Sequence, residues 1–445
     1  MGIDASIGGG KLNVAHHSQY LHQGTYSMNT PPLMLNNTMS RNKDLFRPLQ
    51  PPHVKLFTCG PSVYRHPHLG NYRTFFYEDI LHRYLSHLGF EVERVVNFTD
   101  IEDKSISEAR RKQISVDDLT RPVEERFFED CRFLSIDLPP FIPRSSTSVH
   151  TAAEIIEGLL EKKHAYSYGP DIYFDPLTFQ GFGRLYRLDM SKWPSRKKRF
   201  SKDTYPGQRW NLGDFILWHG ARDNEPAQWE TVLGKGRPAW NVQDPAMIVK
   251  HLGTQIDISC GGIDNLYRHH DYTIAVTEAY SGKELAPYWL HGEHLLVDGH
   301  KMSKNKGNII HVGDLASKGY DGAVIRFFFA TQHYRKKLNF TYAALDAAAK
   351  RHARLIEYAR VFTTDVQPDK EAAESSHSAG ELLVQFENAL SDDLHTERAL
   401  DDLEHMLMPL SEARKEGTLN QSDTAGICHV LQKIDMVLKT GINHS

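Results

Sequence analysis

The spacing of apolar positions predicts alternating strands and helices from residue 53 onward. Val54 to Thr58 form a short apolar run that ends at the breaker pair Gly60-Pro61, as expected for a buried strand. From Gly70 to Leu88 apolar residues recur every three or four positions, which is typical of an amphipathic helix, and Gly89 supplies a stop. Val92 to Phe98 is rich in β-branched residues and predicts a second strand. A βαβ unit with a parallel sheet follows, and ligands of such sheets bind beyond the carboxyl ends of the strands.

The pattern changes several times further along the chain. A second α/β portion is predicted from about Trp210 to Val297, with strands at Phe215–Trp218 and Gln255–Ser259 and a helix after His270. Beyond Leu315 the spacing of apolar residues is mostly that of helices. It predicts amphipathic helices at 343–362 and 380–410, on either side of a polar linker at 365–378. The expected units are a disordered extension over 1–30, a first α/β half over 31–116, an inserted domain over 117–206, a second α/β half over 207–300, a loop region over 301–342 and a helical domain over 343–445.

Composition and charge narrow the class of protein. The 445 residues are 40% hydrophobic and 24% charged, which is typical of globular proteins. A net charge of −4 gives no overall attraction to polyanions, so nucleic-acid binding would need a local patch. The basic run of Lys192 and Arg196 to Arg199, beside Trp193, is such a candidate, although short basic runs are usually solvated loops. Four scattered cysteines without a CxxC pair, and no long apolar run or signal pattern, predict a cytoplasmic protein without a membrane segment.

Two short motifs carry candidate chemistry. His68-Leu69-Gly70-Asn71 lies between the first strand and its helix, where backbone N–H groups and the positive end of the helix favour phosphate. Lys301-Met302-Ser303-Lys304 follows an apolar stretch that ends at Val297. Cations held on such a loop stabilise the charge that builds up on a triphosphate when a carboxylate attacks the α-phosphorus. Each motif alone is weak, but together in this order they predict nucleotide-dependent carboxylate activation.

These motifs resemble the two signatures of class I aminoacyl-tRNA synthetases. Within that class the chain is similar to the cysteinyl-tRNA synthetase family from about residue 33 to residue 436. The further matching segments are Cys59 to Tyr64 (CGPSVY), Asn97 to Lys104 (NFTDIEDK), Asp214 to Trp218 (DFILW), Gly236 to Trp240 (GRPAW), Gly261 to Asp264 (GGID) and His269-His270.

The resemblance implies a fold, cofactors and site residues. The implied fold is a Rossmann-type, doubly wound parallel sheet with an inserted connective domain and a C-terminal helical bundle. ATP and Mg²⁺ are the implied cofactors, with catalysis assigned to His68, Asn71, Lys301 and Lys304. The implied ATP site comprises His68, Gly70, Asn71, Lys301, Met302, Ser303 and Lys304. The implied amino-acid site comprises Cys59, Gly60, Ser62, Trp240, Asp244, Asp264, His269 and Thr273, with Asp264 holding the substrate ammonium and Trp240 walling the side-chain pocket.

One departure from the family concerns its metal. In the family a zinc ion that recognises the substrate thiol is held by two cysteines, a histidine and a glutamate four residues after it. Cys59 and His269 stand at two of these positions, but Asp244 replaces the second cysteine and Thr273 replaces the glutamate. We therefore expect zinc to be lost and the pocket to take a polar or cationic side chain instead of cysteine. The alternatives are four ordinary polar residues, or a zinc ion retained through Cys59, Asp244 and His269; His270 is given no role.

A second departure concerns the acceptor. The chain ends soon after the predicted helical bundle, so we expect a full anticodon-binding domain to be absent, an architecture that would resemble the mycothiol-biosynthesis cysteine ligase. That resemblance implies a ligase that forms an aminoacyl adenylate and passes it to a small amine or carrier instead of tRNA. The first alternative is a cysteinyl-tRNA synthetase that charges tRNA. The second alternative is a non-catalytic paralogue that binds an amino acid or RNA.

Overall fold

The computed structural model describes residues 31–192, 213–223 and 225–443, apart from the side chains of Lys192 and Lys304. The expected extension over 1–30 lies outside these residues, as do Trp193 and Arg196 to Arg199 of the basic run. Within the described part of the chain, no helix combines the length and the apolar character that crossing a membrane requires.

The described residues form strands and helices in alternation, and the C-terminal third is helical. The strands are β1 Met34–Asn37, β2 Asn42–Leu45, β3 His53–Thr58, β4 Glu91–Val96, β5 Ala165–Tyr168, β6 Asp171–Phe174, β7 Phe215–Gly220, β8 Trp229–Thr231, β9 Gly234–Pro238, β10 Ile258–Gly262, β11 Tyr288–Gly292, β12 Leu295–Val297, β13 His300–Lys301 and β14 Leu338–Phe340. The helices are α1 Leu69–His87, α2 Asp103–Lys112, α3 Val116–Phe133, α4 Val149–Glu161, α5 Trp240–His251, α6 Asp271–Ser281, α7 Val312–Ala316, α8 Gly322–Ala330, α9 Tyr342–Thr363, α10 Lys370–Ser375, α11 His377–Ser391, α12 Thr396–Lys415 and α13 Gln421–Leu438.

A four-stranded parallel sheet in the order β4-β3-β10-β11 forms the centre of the α/β core. The predicted βαβ unit is confirmed as β3, α1 and β4, and α1 stops before Gly89, which has φ +86°. Strands β3 and β4 are buried over their last three residues, whereas β4 begins with the exposed residues Glu91 and Glu93. The strand predicted at Gln255–Ser259 begins three residues later, as β10, and continues through Gly262.

A five-stranded antiparallel sheet in the order β5-β6-β7-β9-β8 forms the inserted region. The strand predicted at Phe215–Trp218 is present as β7, but its assignment to the second α/β portion is wrong, because β7 pairs antiparallel with β6 and β9 in the inserted sheet. An apolar run predicts a strand but does not specify which strand it pairs with. The pairing with β6 is stabilised by Phe215, which stacks on Phe174 at a ring-centroid distance of 4.9 Å. The inserted sheet therefore extends to Pro238, past the boundary expected near residue 206.

The C-terminal region is a bundle of helices α9 to α13. The single stripe predicted at 380–410 is two helices, α11 and α12, because Asp393 and Leu394 between them adopt positive φ of 63° and 55°. The Asp393 carboxylate is buried and accepts hydrogen bonds from the Asn36 N–H and the Tyr334 hydroxyl, which fixes this break. The polar linker predicted at 365–378 contains a short helix, α10.

One continuous apolar core joins α1 and the parallel sheet to the C-terminal helices, while the inserted sheet has a core of its own with α4. A buried ion pair between Asp79 of α1 and Arg326 of α8 also crosses the first core. The helix whose N-terminus forms the candidate site is thereby fixed on both the sheet side and the bundle side.

Candidate functional site

The carboxyl ends of the four parallel strands meet at one edge of the sheet. Cys59 follows β3 and Asn97 follows β4, while Gly262 and Gly292 end β10 and β11. A cavity of about 1400 Å³ opens at this edge, as expected for parallel α/β sheets. Ten of the predicted site residues line it, namely Cys59, Gly60, Ser62, His68, Gly70, Asn71, Asp264, Lys301, Met302 and Ser303. The two signature motifs, distant in sequence, therefore face the same space.

His68 precedes helix α1 at the end of the cavity where the sequence predicts phosphate binding. Its backbone N–H donates to Asn71 Oδ1 at 3.0 Å, and burial lowers the pKa of its imidazole, which is therefore neutral at pH 7. A Cβ placed on Gly70 would lie 2.8 Å from Met302 Cε. The lysine-bearing loop thus packs directly over the start of α1, and glycine permits that approach.

Lys301 and Asp264 form an ion pair at the mouth of the cavity. Lys301 Nζ donates to both Asp264 carboxylate oxygens at 2.8 and 2.7 Å, and His294 Nε2 lies 3.4 Å from one of them. The Lys301 and Asp264 side chains are 58% and 62% exposed, so the pair is weakly held and open to exchange. Lys301, predicted to bind ATP, and Asp264, predicted to bind the substrate ammonium, are therefore paired with each other.

A second group of side chains lies behind Cys59, at the end of the cavity where the sequence predicts amino-acid binding. Asp244 Oδ2 lies 2.7 Å from His269 Nε2 and 3.7 Å from Cys59 Sγ, and Oδ1 accepts from Asn97 Nδ2 at 3.0 Å. Burial alone would lower the pKa of His269, but the Asp244 carboxylate outweighs it and raises that pKa. Burial, with the Asp244 charge adding to it, raises the pKa of the Cys59 thiol.

His270, to which the sequence analysis gave no role, lies in the middle of this group and is 1% exposed. Its Nε2 is 3.1 Å from Cys59 Sγ, and its Nδ1 is 2.8 Å from His291 Nε2. The chain of contacts continues from His291 Nδ1 to Thr38 Oγ1 at 2.8 Å. Burial lowers the pKa of His270 well below its ordinary value and that of His291 to about 3, so both rings are neutral.

Local backbone geometry explains why the sequence does not predict the position of His270 beside Cys59. In a regular α-helix, adjacent residues point in directions about 100° apart and do not share a face. Leu266 to His270 instead form a π-helical turn with a non-helical residue at Tyr267, immediately before α6. With this turn, ring nitrogens of His269 and His270 both lie within 4.8 Å of Cys59 Sγ. The adjacent pair of histidines is the only signal of this arrangement in the sequence.

Three of the predicted site residues make contacts that stabilise the local structure around the cavity. Thr273 Oγ1 donates to the His269 carbonyl at 3.0 Å, within its own helix. Trp240 begins α5 and stacks on His269 with ring centroids 5.7 Å apart and 14° between the planes, so it supports the pocket from behind. Gly60 donates its N–H to Asn97 Oδ1 at 2.9 Å, and a Cβ there would lie 1.8 Å from the Asn97 carbonyl oxygen.

A family of known proteins, described as the tRNA synthetases class I (C) catalytic domain, matches residues 45–350. The chain belongs to this family. The synthetase is 37% identical to the cysteine–tRNA ligase of Chlamydia pneumoniae over 411 residues, which cover 91% of this chain and 86% of the relative. It is 34% identical to the cysteine–tRNA ligase of Protochlamydia amoebophila over 418 residues, which cover 93% and 87%.

Solved structures confirm the Rossmann-type fold of this synthetase. Methionyl-tRNA synthetase of Mycobacterium tuberculosis, in complex with methionyl-adenylate, matches with a TM-score of 0.62 at 13% identity over 86% of this chain and 90% of that one. A leucyl-tRNA synthetase (LeuRS) from Agrobacterium radiobacter K84, in a ternary complex with tRNA, matches with a TM-score of 0.64 at 10% identity over 89% and 85%. The predicted α/β class, inserted region and helical C-terminus are therefore confirmed. Class I synthetases are ligases that activate amino acids with ATP and Mg²⁺.

Proposed function

We propose that this class I (C) synthetase joins the carboxylate of an amino acid to the α-phosphorus of ATP and then transfers the aminoacyl group to the 3′ end of a tRNA. The observation that carries the proposal is the convergence of His68, Asn71 and Lys301 on one cavity beside Asp264. A protein that only bound an amino acid or RNA would have no need of this phosphate-binding end.

In the first step a carboxylate oxygen attacks the α-phosphorus, and the bond to pyrophosphate breaks. Negative charge grows on the phosphoryl oxygens and on the leaving pyrophosphate. The neutral His68 ring donates an N–H there, the start of α1 adds its positive end, and Lys301 supplies a full charge. Mg²⁺ would be carried on the ATP phosphates, since it is usually bound through substrate phosphates with few protein ligands.

The Lys301–Asp264 pair suggests how the two substrates are arranged. When Lys301 turns to the triphosphate, Asp264 is released and can take the α-ammonium of the amino acid in place of the lysine ammonium. Both are alkylammonium groups, so Asp264 exchanges one partner for a chemically similar one. The exposure of the pair makes that exchange inexpensive in free energy.

The acceptor proposal rests on the part of the cavity that follows helix α2. Arg65 and Lys104 lie over the ring of Tyr64, with Cζ and Nζ at 4.8 and 5.5 Å from its centroid, and Arg111 and Lys112 line the same cavity. Cations beside an aromatic face suit the phosphates and a stacked base of a single-stranded 3′ end. The cavity also exceeds the roughly 300–1,000 Å³ of ordinary small-molecule sites.

Three finer expectations stay predictions: a small amine or carrier as acceptor, an amino acid other than cysteine, and a cytoplasmic location. The names of the relatives favour tRNA over a small amine. The prediction about the amino acid rests on Asp244 and Thr273, which stand where the family has metal ligands. The pocket wall offers a thiol and an imidazole beside a buried carboxylate, which fits a small polar side chain.

Acceptor assays test the proposal directly. The full chain is incubated with ATP and radiolabelled amino acids, and the label is followed into tRNA or into added small amines. The proposal expects label in the acid-insoluble tRNA fraction, with a base-labile ester bond. Label in an amide with no dependence on tRNA would overturn the tRNA step and support the small-amine prediction. Label in neither fraction, with no pyrophosphate exchange, would overturn the enzyme assignment.

A further inference from the structure

We propose that Arg73 of helix α1 is a positioning residue, which holds the hairpin that carries Lys301 at a fixed distance from the start of α1. The hairpin consists of β12 and β13, residues 295–301. This role rests on the proposed function, because it concerns the step that forms the adenylate. Arg73 is given no contact with a substrate and acts through main-chain atoms.

Main-chain carbonyl groups surround the guanidinium of Arg73, and the residue is 3% exposed. Its Nη1 donates to the carbonyls of Glu293 and His294 at 2.8 and 2.9 Å. Its Nη2 donates to the carbonyl of His333 at 3.2 Å and to that of Lys336. Four carbonyl oxygens from two segments that are distant in sequence therefore converge on one side chain.

The charge of Arg73 is compensated in an unusual way. Buried arginines are generally paired with a carboxylate, as Arg326 is with Asp79. Within the described part of the chain, every hydrogen bond of the Arg73 guanidinium goes to a main-chain carbonyl instead. Burial lowers the pKa of Arg73 to about 10, so the group stays charged at pH 7. Such bonds fix the positions of backbone segments.

The two segments support the hairpin that carries Lys301. His294 directly precedes β12, and Leu296 of β12 pairs with Lys301 of β13. The second segment leads into β14, which pairs in parallel with β12. The Glu293 N–H also donates to the Tyr334 carbonyl at 2.8 Å, which joins the two segments directly. A displacement of either segment therefore displaces Lys301.

Arg73 also connects the hairpin to the residues proposed to bind the substrates. It lies on α1, five residues after His68. His294, whose carbonyl it holds, places Nε2 3.4 Å from an Asp264 carboxylate oxygen. Because a misplacement of about 1 Å can lower a rate by about 10²-fold, the distances from His68 to Lys301 and Asp264 matter for the reaction.

Lysine at this position would separate charge from geometry. A guanidinium presents its donors in a plane on separate nitrogens, whereas an ammonium is a single point charge. Arg73→Lys therefore keeps the charge but loses part of the contact with the four carbonyls. Arg73→Gln buries no charge and keeps a planar amide with two N–H donors. It is the second variant if the lysine variant does not fold, and the same outcomes apply to it.

ATP–pyrophosphate exchange by the full chain, with the amino acid that the wild type activates, is the first test. Arg73→Lys is expected to lower kcat by about 10²-fold, with a smaller change in KM for ATP, because Lys301 acts on charge that grows during the reaction. Arg326→Lys is the matched control, since Arg326 is also buried but bonds Asp79 and carbonyls away from the hairpin. It is expected to lower Tm and keep kcat when assayed below that Tm.

A double-mutant cycle distinguishes positioning from a general structural role. If Arg73 acts through Lys301, Arg73→Lys should lower kcat by less than about 3-fold in a Lys301→Ala background, because residues that act as a unit are not additive. An equal loss in both backgrounds would overturn the proposal. An unchanged kcat in Arg73→Lys would overturn it as well.

Amide hydrogen exchange of the unliganded proteins requires no activity. Amides of residues 293–301 and 334–340 should exchange faster in Arg73→Lys than in the wild type. Arg326→Lys should instead loosen the end of α13, whose Leu438 carbonyl accepts from Arg326. Wild-type protection of residues 293–301 in Arg73→Lys would overturn the proposal. A wild type without pyrophosphate exchange would overturn the proposed function, and the amide exchange would still decide whether Arg73 holds the hairpin.

Discussion

The two ends of the cavity differ in how they keep the family's chemistry. At the end proposed to bind phosphate, the phosphate end, His68, Gly70 and Asn71 start α1 beside Lys301 and Met302, and all five belong to the motifs that resemble the family's signatures. At the end proposed to bind the amino acid, the amino-acid end, the resemblance implies two substituted positions, Asp244 and Thr273, and His270 Nε2 lies 3.1 Å from Cys59 Sγ. In the proposed function the first end binds the phosphates, which every substrate pair shares, whereas the second end binds the amino-acid side chain, which differs between substrates.

This difference teaches which changes a shared scaffold tolerates. The phosphate end is built from backbone N–H groups and a loop lysine whose geometry the strand ends impose. The amino-acid end is built from side chains on three separate elements, so a substitution at one can be compensated by a neighbour.

His68→Asn should break the phosphate end alone. Asparagine still caps a helix N-terminus, so α1 should fold, but the ring N–H facing the phosphates is lost. Loss of one preorganised donor lowers kcat of adenylate formation by about 10²–10³-fold. Steady-state pyrophosphate exchange measures this. His53→Asn, at the opposite end of β3, is the control and should be unaffected; equal losses in both variants would contradict the assigned role.

Gly60→Ala should disturb the carboxyl ends of β3 and β4, which form the floor of the cavity. The new Cβ would meet the Asn97 carbonyl oxygen at 1.8 Å, and overpacking against backbone costs roughly 3 kcal/mol. Gly380→Ala, within α11 with open space at its Cβ, should instead stabilise by about 0.5–1 kcal/mol. Denaturant unfolding compares them. A Gly60→Ala protein as stable as the wild type would show that β3 and β4 need no close approach there.

Asp264→Asn should affect the amino acid more than ATP. Loss of a charged hydrogen-bond acceptor for the substrate ammonium costs about 1.5–3 kcal/mol, which is about a 10–100-fold rise in KM for the amino acid. KM for ATP should change little, because Lys301 is released from its partner. Asp298→Asn, at an exposed position between β12 and β13, is the control. An unchanged amino-acid KM would remove Asp264 from the ammonium site.

Glu78→Gln should change how stability depends on pH. Burial raises the pKa of Glu78 from 4.5 to about 8, with Arg94 opposing the shift, and neither carboxylate oxygen has a hydrogen-bond partner among the described residues. The folded state binds this proton more tightly than the unfolded state between those values, so stability falls as pH rises through that window. The slope is at most about 1.4 kcal/mol per pH unit. The free energy of unfolding of Glu78→Gln, measured from pH 5 to 8, should fall less steeply; an identical pH profile would contradict the raised pKa.

Much of the α/β core and of the phosphate end could be predicted from the sequence, because both depend on local patterns. The period of α1 and the position of the motif at its start required no long-range information. The placement of β7 could not be predicted, because its partners β6 and β9 are chosen by long-range packing. The position of His270 beside Cys59 could not be predicted either, because it depends on a π-helical turn that no residue pattern specifies.

The most direct test of the account is ATP–pyrophosphate exchange by the full chain with each of the twenty amino acids, with and without tRNA. The account predicts exchange with one amino acid well above the others, and its loss in His68→Asn. A folded protein that supports no exchange with any amino acid under either condition would contradict it, because the phosphate end would then be preserved in form without its chemistry.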